Sequence, residues 1–277
     1  MIYCRCCGEA NTNYLFKVNL LSRDVSYFEC LACGYVQTEF PSWLEDAYLE
    51  PINPSDTGIV SRNLSNVSLV LATLALMGKK TSQVVDYGGG HGFLVRLLRD
   101  IGVNALWADP YSENLVARGF EYQEIDSYAR EGEKPSLVMA FEAFEHFVEP
   151  AKEVSRMLSI SSNILLTTTL APQPTPRPTE WSYYGFEHGQ HIGFYRVQTL
   201  QYLADSFGLQ LMTDGVSTHF LSRDKRYSYL AWKMLRILAR RIPRLFVFGL
   251  HSKTWDDHLI ISEGLADIKY KKKPGLS

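Results

Sequence analysis

Val84-Val85-Asp86-Tyr87-Gly88-Gly89-Gly90-His91-Gly92-Phe93 is an apolar run that ends in an acid and opens into alternating glycines. It predicts a buried strand, a tight turn and a helix over roughly residues 91–101. Glycine at such a junction lets the backbone pass close to a ligand, and the first turn of the helix presents unpaired N–H groups to it. Any sharp strand-to-helix turn favours glycine, so the neighbouring segments decide what the turn is for.

The next predicted strand, 103–108, ends in Asp109-Pro110, 21 positions after Gly88 (109 − 88 = 21). An acid at the end of the second strand of a nucleotide-binding βαβ unit can accept bonds from ribose hydroxyls, and the competing role for Asp-Pro is a helix N-cap. The pattern continues as helix 112–118, a weak strand 121–125, strand 136–141, helix 150–158 and strand 163–169. Helix 197–207 and a closing hairpin, 209–213 with 217–221, complete it. Such alternation builds a parallel sheet covered on both faces.

All five cysteines lie in the first 33 residues. Cys4 and Cys7 form one C-x-x-C-G knuckle and Cys30 and Cys33 a second, while Cys6 is a bystander. Two such turns converge four sulfurs into a tetrahedral thiolate site, so a closed, structural zinc is expected. The intervening residues alternate like the strands of a short ribbon.

A chain of 277 residues, 46% hydrophobic and 21% charged, can bury a main domain and a smaller attachment. No basic, then apolar, leader opens the sequence, and no apolar run approaches the ~20 residues that span a bilayer, so a cytoplasmic location is expected. Residues 1–222 hold 15 Lys+Arg and 25 Asp+Glu, residues 223–277 hold 13 and 5, and the sums are the 28 and 30 of the whole. The predicted organisation is a ribbon at 1–40, a helical connection at 41–80, a nucleotide-binding domain at 81–222 and a basic helical tail at 223–277.

With Asp86, the glycines and Asp109 in place, the chain resembles the class I S-adenosylmethionine-dependent methyltransferases. The resemblance extends to Phe141-Glu142-Ala143-Phe144-Glu145-His146 with Pro150, similar to the post-fourth-strand segment of the ubiquinone-pathway O-methyltransferases. It implies an α/β fold with a seven-stranded Rossmann-like sheet, its last strand antiparallel. It also implies S-adenosylmethionine as cofactor, with the turn of Gly88, Gly90 and Gly92 at the methionine part, Asp109 at the ribose, Asp126 near the adenine, and Asp86 and Phe141 in the same binding set. The glycines fall as G-x-G-x-G, whereas dinucleotide enzymes favour G-x-G-x-x-G. In the ubiquinone branch the counterparts of Glu142, Glu145 and His146 hold magnesium. Hydrogen bonding of a loop and helix start is the alternative reading here.

The aromatic, glycine-jointed segment 181–195 follows the fifth predicted main-sheet strand and is expected to arch over the carboxyl edge of the sheet as a substrate lid, with a hydrophobic plug as the alternative. Its Gln190-His191-Ile192-Gly193-Phe194-Tyr195 resembles a segment of sugar-nucleotide C-methyltransferases, which also carry an N-terminal zinc-binding domain. That resemblance places a base or substrate clamp on His191, and His146 is the second catalytic candidate. The function expected is methyl transfer to a small-molecule acceptor, a sugar, nucleotide sugar or glycan precursor, at oxygen or carbon. An RNA methyltransferase with a zinc ribbon is the first rival, disfavoured by the acidic body. A non-catalytic cofactor-binding module is the second. The basic tail is a candidate for contact with anions or a membrane surface.

Overall fold

The computed structural model describes residues 2–49, 56–122 and 134–271, with side chains to residue 264. Strands β1 (Thr12–Leu20), β2 (Arg23–Cys30) and β3 (Val36–Thr38) form an antiparallel ribbon. A short helix α1 (Leu44–Ala47) and the long α2 (Ile59–Met77) lead into the main domain. There follow β4 (Gln83–Tyr87), α3 (Phe93–Asp100), β5 (Asn104–Ala108), β6 (Leu137–Phe141), α4 (Pro150–Ile160) and β7 (Asn163–Thr167). After a long loop come β8 (Gly193–Phe194), α5 (Val197–Ser206), β9 (Gln210–Thr213) and β10 (Thr218–Ser222). Three helices end the chain: α6 (Tyr229–Arg241), α7 (Pro243–Val247) and α8 (Thr254–Lys271).

The main sheet has the order β5-β4-β6-β7-β10-β9, with β10 antiparallel to both neighbours. Among the described residues it has six strands, not the seven expected. The weak strand foreseen at 121–125 is reduced to one parallel bridge between Glu121 and Trp107, and its remainder lies outside the described residues. The helix foreseen at 112–118 is also replaced by irregular turns. Side chains compete with the helical ladder there: the Asp109 carboxylate accepts from the N–H groups of Tyr111 and Ser112, and Asn114 Oδ1 accepts from Ala117 N.

One face of the sheet is covered by α2, α3, α6 and α7, which bury Leu69–Leu74, Leu98, Trp232 and Phe246. The segment 59–77 has the length and mean hydropathy, 1.4, of a bilayer-spanning helix. Its inner half is instead packed on α3 and α6 inside the molecule. The other face is covered by α4, α5 and the cysteine knuckles of the ribbon, with Tyr35.

The ribbon sheet has a fourth strand that its own sequence does not supply: the order is β1-β2-β3-β8, and Val36 and Gln37 pair with Phe194 and Gly193. Gly193 is required by space, since a Cβ there would lie 1.8 Å from the Tyr35 hydroxyl. Residues 181–195 thus behave largely as the plug, not as a free lid: Tyr184, Ile192, Phe194 and Tyr195 are fully buried, three of them against ribbon residues Leu20, Val25 and Tyr27. Arg196 fastens the joint through an ion pair with Glu29 and a bond to the carbonyl of Gly34.

Candidate active site

The glycine turn has the conformation its sequence demands. Gly88, Gly90 and Gly92 all have positive φ (75°, 53° and 88°), and a Cβ on Gly92 would meet Asn114 Oδ1 at 2.7 Å. Around Gly90 the space is open, with no atom within 4 Å of where a Cβ would sit. The turn is pinned from β5: Asp109 Oδ2 accepts from Gly90 N at 2.9 Å, and Trp107 Nε1 donates to Gly90 O at 2.7 Å. Asp109 therefore caps the following turn and braces the glycines at once, which leaves lone pairs on the same carboxylate for a ribose. Asp86 is buried, and burial, then the nearby Asp109 charge, pushes its carboxyl up to about 7. This acidic, backbone-lined edge is chemically suited to a cationic, hydroxylated cofactor. Phe141 ends β6 beside it, half-buried, whereas Asp126 lies outside the described residues.

Immediately after β6 the backbone is strained. Glu142 has φ +50°, a region costly for a residue with a side chain. It is held by Thr167 at the end of β7, whose hydroxyl donates to Glu142 Oε1 at 2.7 Å and whose carbonyl accepts from Glu142 N at 3.0 Å. Burial, then the neighbouring Glu145, pushes the Glu142 carboxyl up to about 7.

Glu145 is fully buried, and its carboxyl is also raised by burial. Tyr183 Oη donates to its Oε1 at 2.6 Å, while Oε2 has no hydrogen-bond partner among the described residues. His146 and His191 stand beside it, their rings 5.0 Å apart and nearly perpendicular. His146 Nδ1 lies 3.1 Å from the carbonyl of Gln190, and His191 Nδ1 lies 2.6 Å from that of Tyr183. A carbonyl can only accept, so the His191 ring carries its proton on Nδ1 and presents Nε2 as a lone pair, while the His146 ring meets the carbonyls of both Gln190 and Glu142. Burial lowers both histidines below their ordinary range, His146 most, and so holds them neutral at pH 7.

The two catalytic candidates are thus brought together, although 45 residues separate them (191 − 146 = 45). Ligand atoms of Glu145, His146 and His191 lie within 4.8 Å of one another, a set that could hold a divalent cation. His91, in contrast, is in the glycine turn and contacts Glu113 O, away from this cluster. Two contributors are invisible in the sequence patterns. Tyr183 positions Glu145. Tyr48, from the connection after α1, stacks on Tyr111 at 5.5 Å and reaches His146 at 6.1 Å, so it spans the gap between the cofactor edge and the histidines. The only signal for Tyr183 was a buried acid in need of a donor, and Tyr48 had none.

Beside Glu142 a cleft of about 210 Å³ opens between α2 and the sheet edge. Its lining is polar: Arg62, Ser65 and Asn66 from α2, Thr167 and Thr218 from the sheet, and Arg240 from α6.

In the ribbon, Cys4 Sγ lies 3.7 Å from Cys33 Sγ, and Cys7 Sγ lies 3.6 Å from Cys30 Sγ. All four sulfurs fall within 4.8 Å of one another, without Cys6. Tetrahedral ligands at about 2.3 Å from zinc stand about 3.8 Å apart, so the set fits that ion. Buried beside it, Arg5 leaves Nε and Nη1 without partners, and a cluster of ionised thiolates would compensate that charge.

A doubly wound sheet with a glycine turn and two acids at its carboxyl edge has the form of a small-cofactor site, with a cluster of histidines and acids after the next strand. The chain matches the methyltransferase domain family over residues 61–213, more than half its length, and belongs to that family. It is a methyltransferase. No curated protein matches it. Among solved structures it is similar to magnesium protoporphyrin IX methyltransferase from Synechocystis PCC 6803 with bound SAH, at 17% identity over 66% of this chain and 94% of that one, TM-score 0.39. It is similar to human N-acetylserotonin methyltransferase in complex with SAM, at 16% identity over 65% of each chain, TM-score 0.41. An O-methyltransferase family protein from Burkholderia thailandensis is 17% identical over 64% of this chain and 61% of that one, TM-score 0.44.

Proposed function

We propose that this methyltransferase uses S-adenosylmethionine, held at the Gly88–Gly92 turn, to methylate a hydroxyl-bearing small molecule, a sugar or glycan precursor, in a reducing cytoplasmic compartment. The observation that carries the acceptor chemistry is His191, whose Nδ1 bond to the Tyr183 carbonyl leaves Nε2 as a lone pair in the cluster with Glu145 and His146. The cofactor supplies a methyl group already activated on a sulfonium. The chain must align the acceptor and take its proton. His191 is the base: Tyr183 O fixes its tautomer, and Nε2 takes the acceptor proton as the new bond to the methyl carbon forms and the carbon–sulfur bond breaks. The released proton then leaves the imidazolium to solvent. Tyr183, bonded to Glu145 through its hydroxyl and to His191 through its carbonyl, positions this group, and a zinc on Cys4, Cys7, Cys30 and Cys33 would brace the ribbon on which the loop packs.

The test is transfer of label from S-adenosylmethionine to the small-molecule fraction of a cell extract, with mass identification of the product. Calorimetry that detected no cofactor binding would overturn the reading. His191→Ala is expected to lower turnover by roughly 10²–10⁴-fold with cofactor affinity unchanged. Unaltered turnover would remove the base from His191. The unpartnered Glu145 Oε2 favours a second reading of the same cluster, as a divalent-cation site with His146 and His191 as nitrogen ligands. A metal content above one zinc per chain that falls in His146→Ala would establish it.

A further inference from the structure

Helix α6 is anchored by one face and apolar on the opposite one. Trp232 and Ala239 are buried against α2, and Arg236 is held inward by Asp214 at 2.9 Å. At 100° per residue, Leu230, Met234, Ile237 and Arg241 point the other way. The three apolar residues are 70%, 64% and 46% exposed. The ridge continues past the helix end: residues 240–245 are all exposed, alternating Arg240, Arg241 and Arg244 with Ile242 and Leu245, and Phe248 follows at 82% exposure.

The charge of this surface has one sign. Residues 225–255 contain eight Lys or Arg and no Asp or Glu. Lys233, Arg240, Arg241 and Arg244 take part in none of the ion pairs among the described residues, in contrast to Arg236. The acids of the body therefore do not neutralise the ridge, and the face does not serve to pack the tail onto it.

We propose that the α6–α7 ridge docks on an anionic lipid bilayer surface. Basic side chains flanking an exposed apolar crest suit this partner: the crest enters the acyl boundary while guanidinium and ammonium groups stay at headgroup level on their aliphatic stems. A nucleic acid would use the charges and gain nothing from exposed leucine, methionine and phenylalanine. A second copy, offering its acidic body, would make a head-to-tail contact that does not close. Because Arg240 also lines the cleft beside Glu142, docking brings the mouth of the active site to the headgroup layer.

The experiment is co-sedimentation of the full chain with phosphatidylcholine vesicles and with vesicles that add one-quarter phosphatidylglycerol, over a salt series. Binding to the anionic vesicles alone, weakened by salt, is expected. Arg241→Gln and Arg244→Gln should each lower partitioning about fivefold. Met234→Ser and Phe248→Ser should weaken it at low salt too, with far-UV circular dichroism unchanged. Binding that ignores both apolar substitutions would overturn the proposal in favour of plain polycation adsorption. Absence of vesicle binding would overturn it as well, in favour of self-association if ultracentrifugation finds oligomers that Phe248→Ser dissolves, or of nucleic acid if an RNA duplex is retained. Methylation is not read in any arm, so the outcome is independent of the acceptor assignment.

Discussion

The six-stranded sheet takes its strands from successive segments between residues 83 and 222, whereas the four-stranded sheet takes three strands from residues 12–38 and its fourth from residues 193–194. The first is assembled from neighbouring β and α units, so the glycine turn and Asp109 are placed by local geometry. The second is closed only when the distant loop arrives, and the same loop carries Tyr183 and His191. On the proposed reading, cofactor binding and proton transfer depend on different parts of the chain. The glycine turn belongs to one sheet, and His191, the proposed base, is set in place by the seam between the two.

If that division is right, the largest effect comes from Gly92→Val. It forces a β-branched residue into φ +88° and against Asn114, and is expected to abolish measurable S-adenosylmethionine binding, a loss of at least roughly 100-fold. Zinc content should stay at the wild-type value. Loss of the metal together with the cofactor would mean the two regions do not fold separately.

The reciprocal change is Cys30→Ser, or chelation. Zinc release should unpair the ribbon and cut turnover by about 100-fold as His191 loses its support, while cofactor affinity measured by calorimetry shifts less than about threefold. Full activity in a zinc-free protein would break the comparison at its centre.

A smaller effect sharpens the cofactor side. Asp86 titrates near 7 in the folded protein, raised chiefly by burial from 3.8. Between those values the native state holds a proton that the unfolded chain has lost, so the stability contributed by this group falls as pH rises from about 4 to about 7. Asp86→Asn should accordingly melt higher than the unligated wild type above pH 7, with the difference vanishing near pH 4. A pH-independent difference in melting temperature would show that burial of the charge is not what Asp86 costs. His146, His188 and His191 are lowered and act in the opposite sense below their ordinary pKa, which is why the difference between variants is the informative quantity.

The contrast between the sheets also explains what could be read in the sequence. The β4 turn, the closing hairpin and the cysteine knuckles are short-range patterns, each written within a few dozen residues. The helix expected at 112–118 failed because Asp109 and Asn114 offered the backbone better local partners than the ladder. The strain at Glu142 was hidden, since nothing in an acid after an apolar strand announces a positive φ. Residues 193–194 are too few to carry a strand period, and their aromatic neighbours favoured a lid by composition alone. The pairing of β3 with β8, the Arg196–Glu29 ion pair and the tight fit of Tyr35 over Gly193 show that this loop is a structural joint.

That joint has a consequence for synthesis. The ribbon strands are synthesised before the strand that completes their sheet, which follows 155 residues after Thr38 (193 − 38 = 155). At about 5–20 residues per second the unpaired edge of β3 is exposed for roughly 8–31 seconds. Until residues 193–194 arrive, that edge offers unpaired N–H and C=O groups to any other strand, so the late segment protects the ribbon as well as completing it.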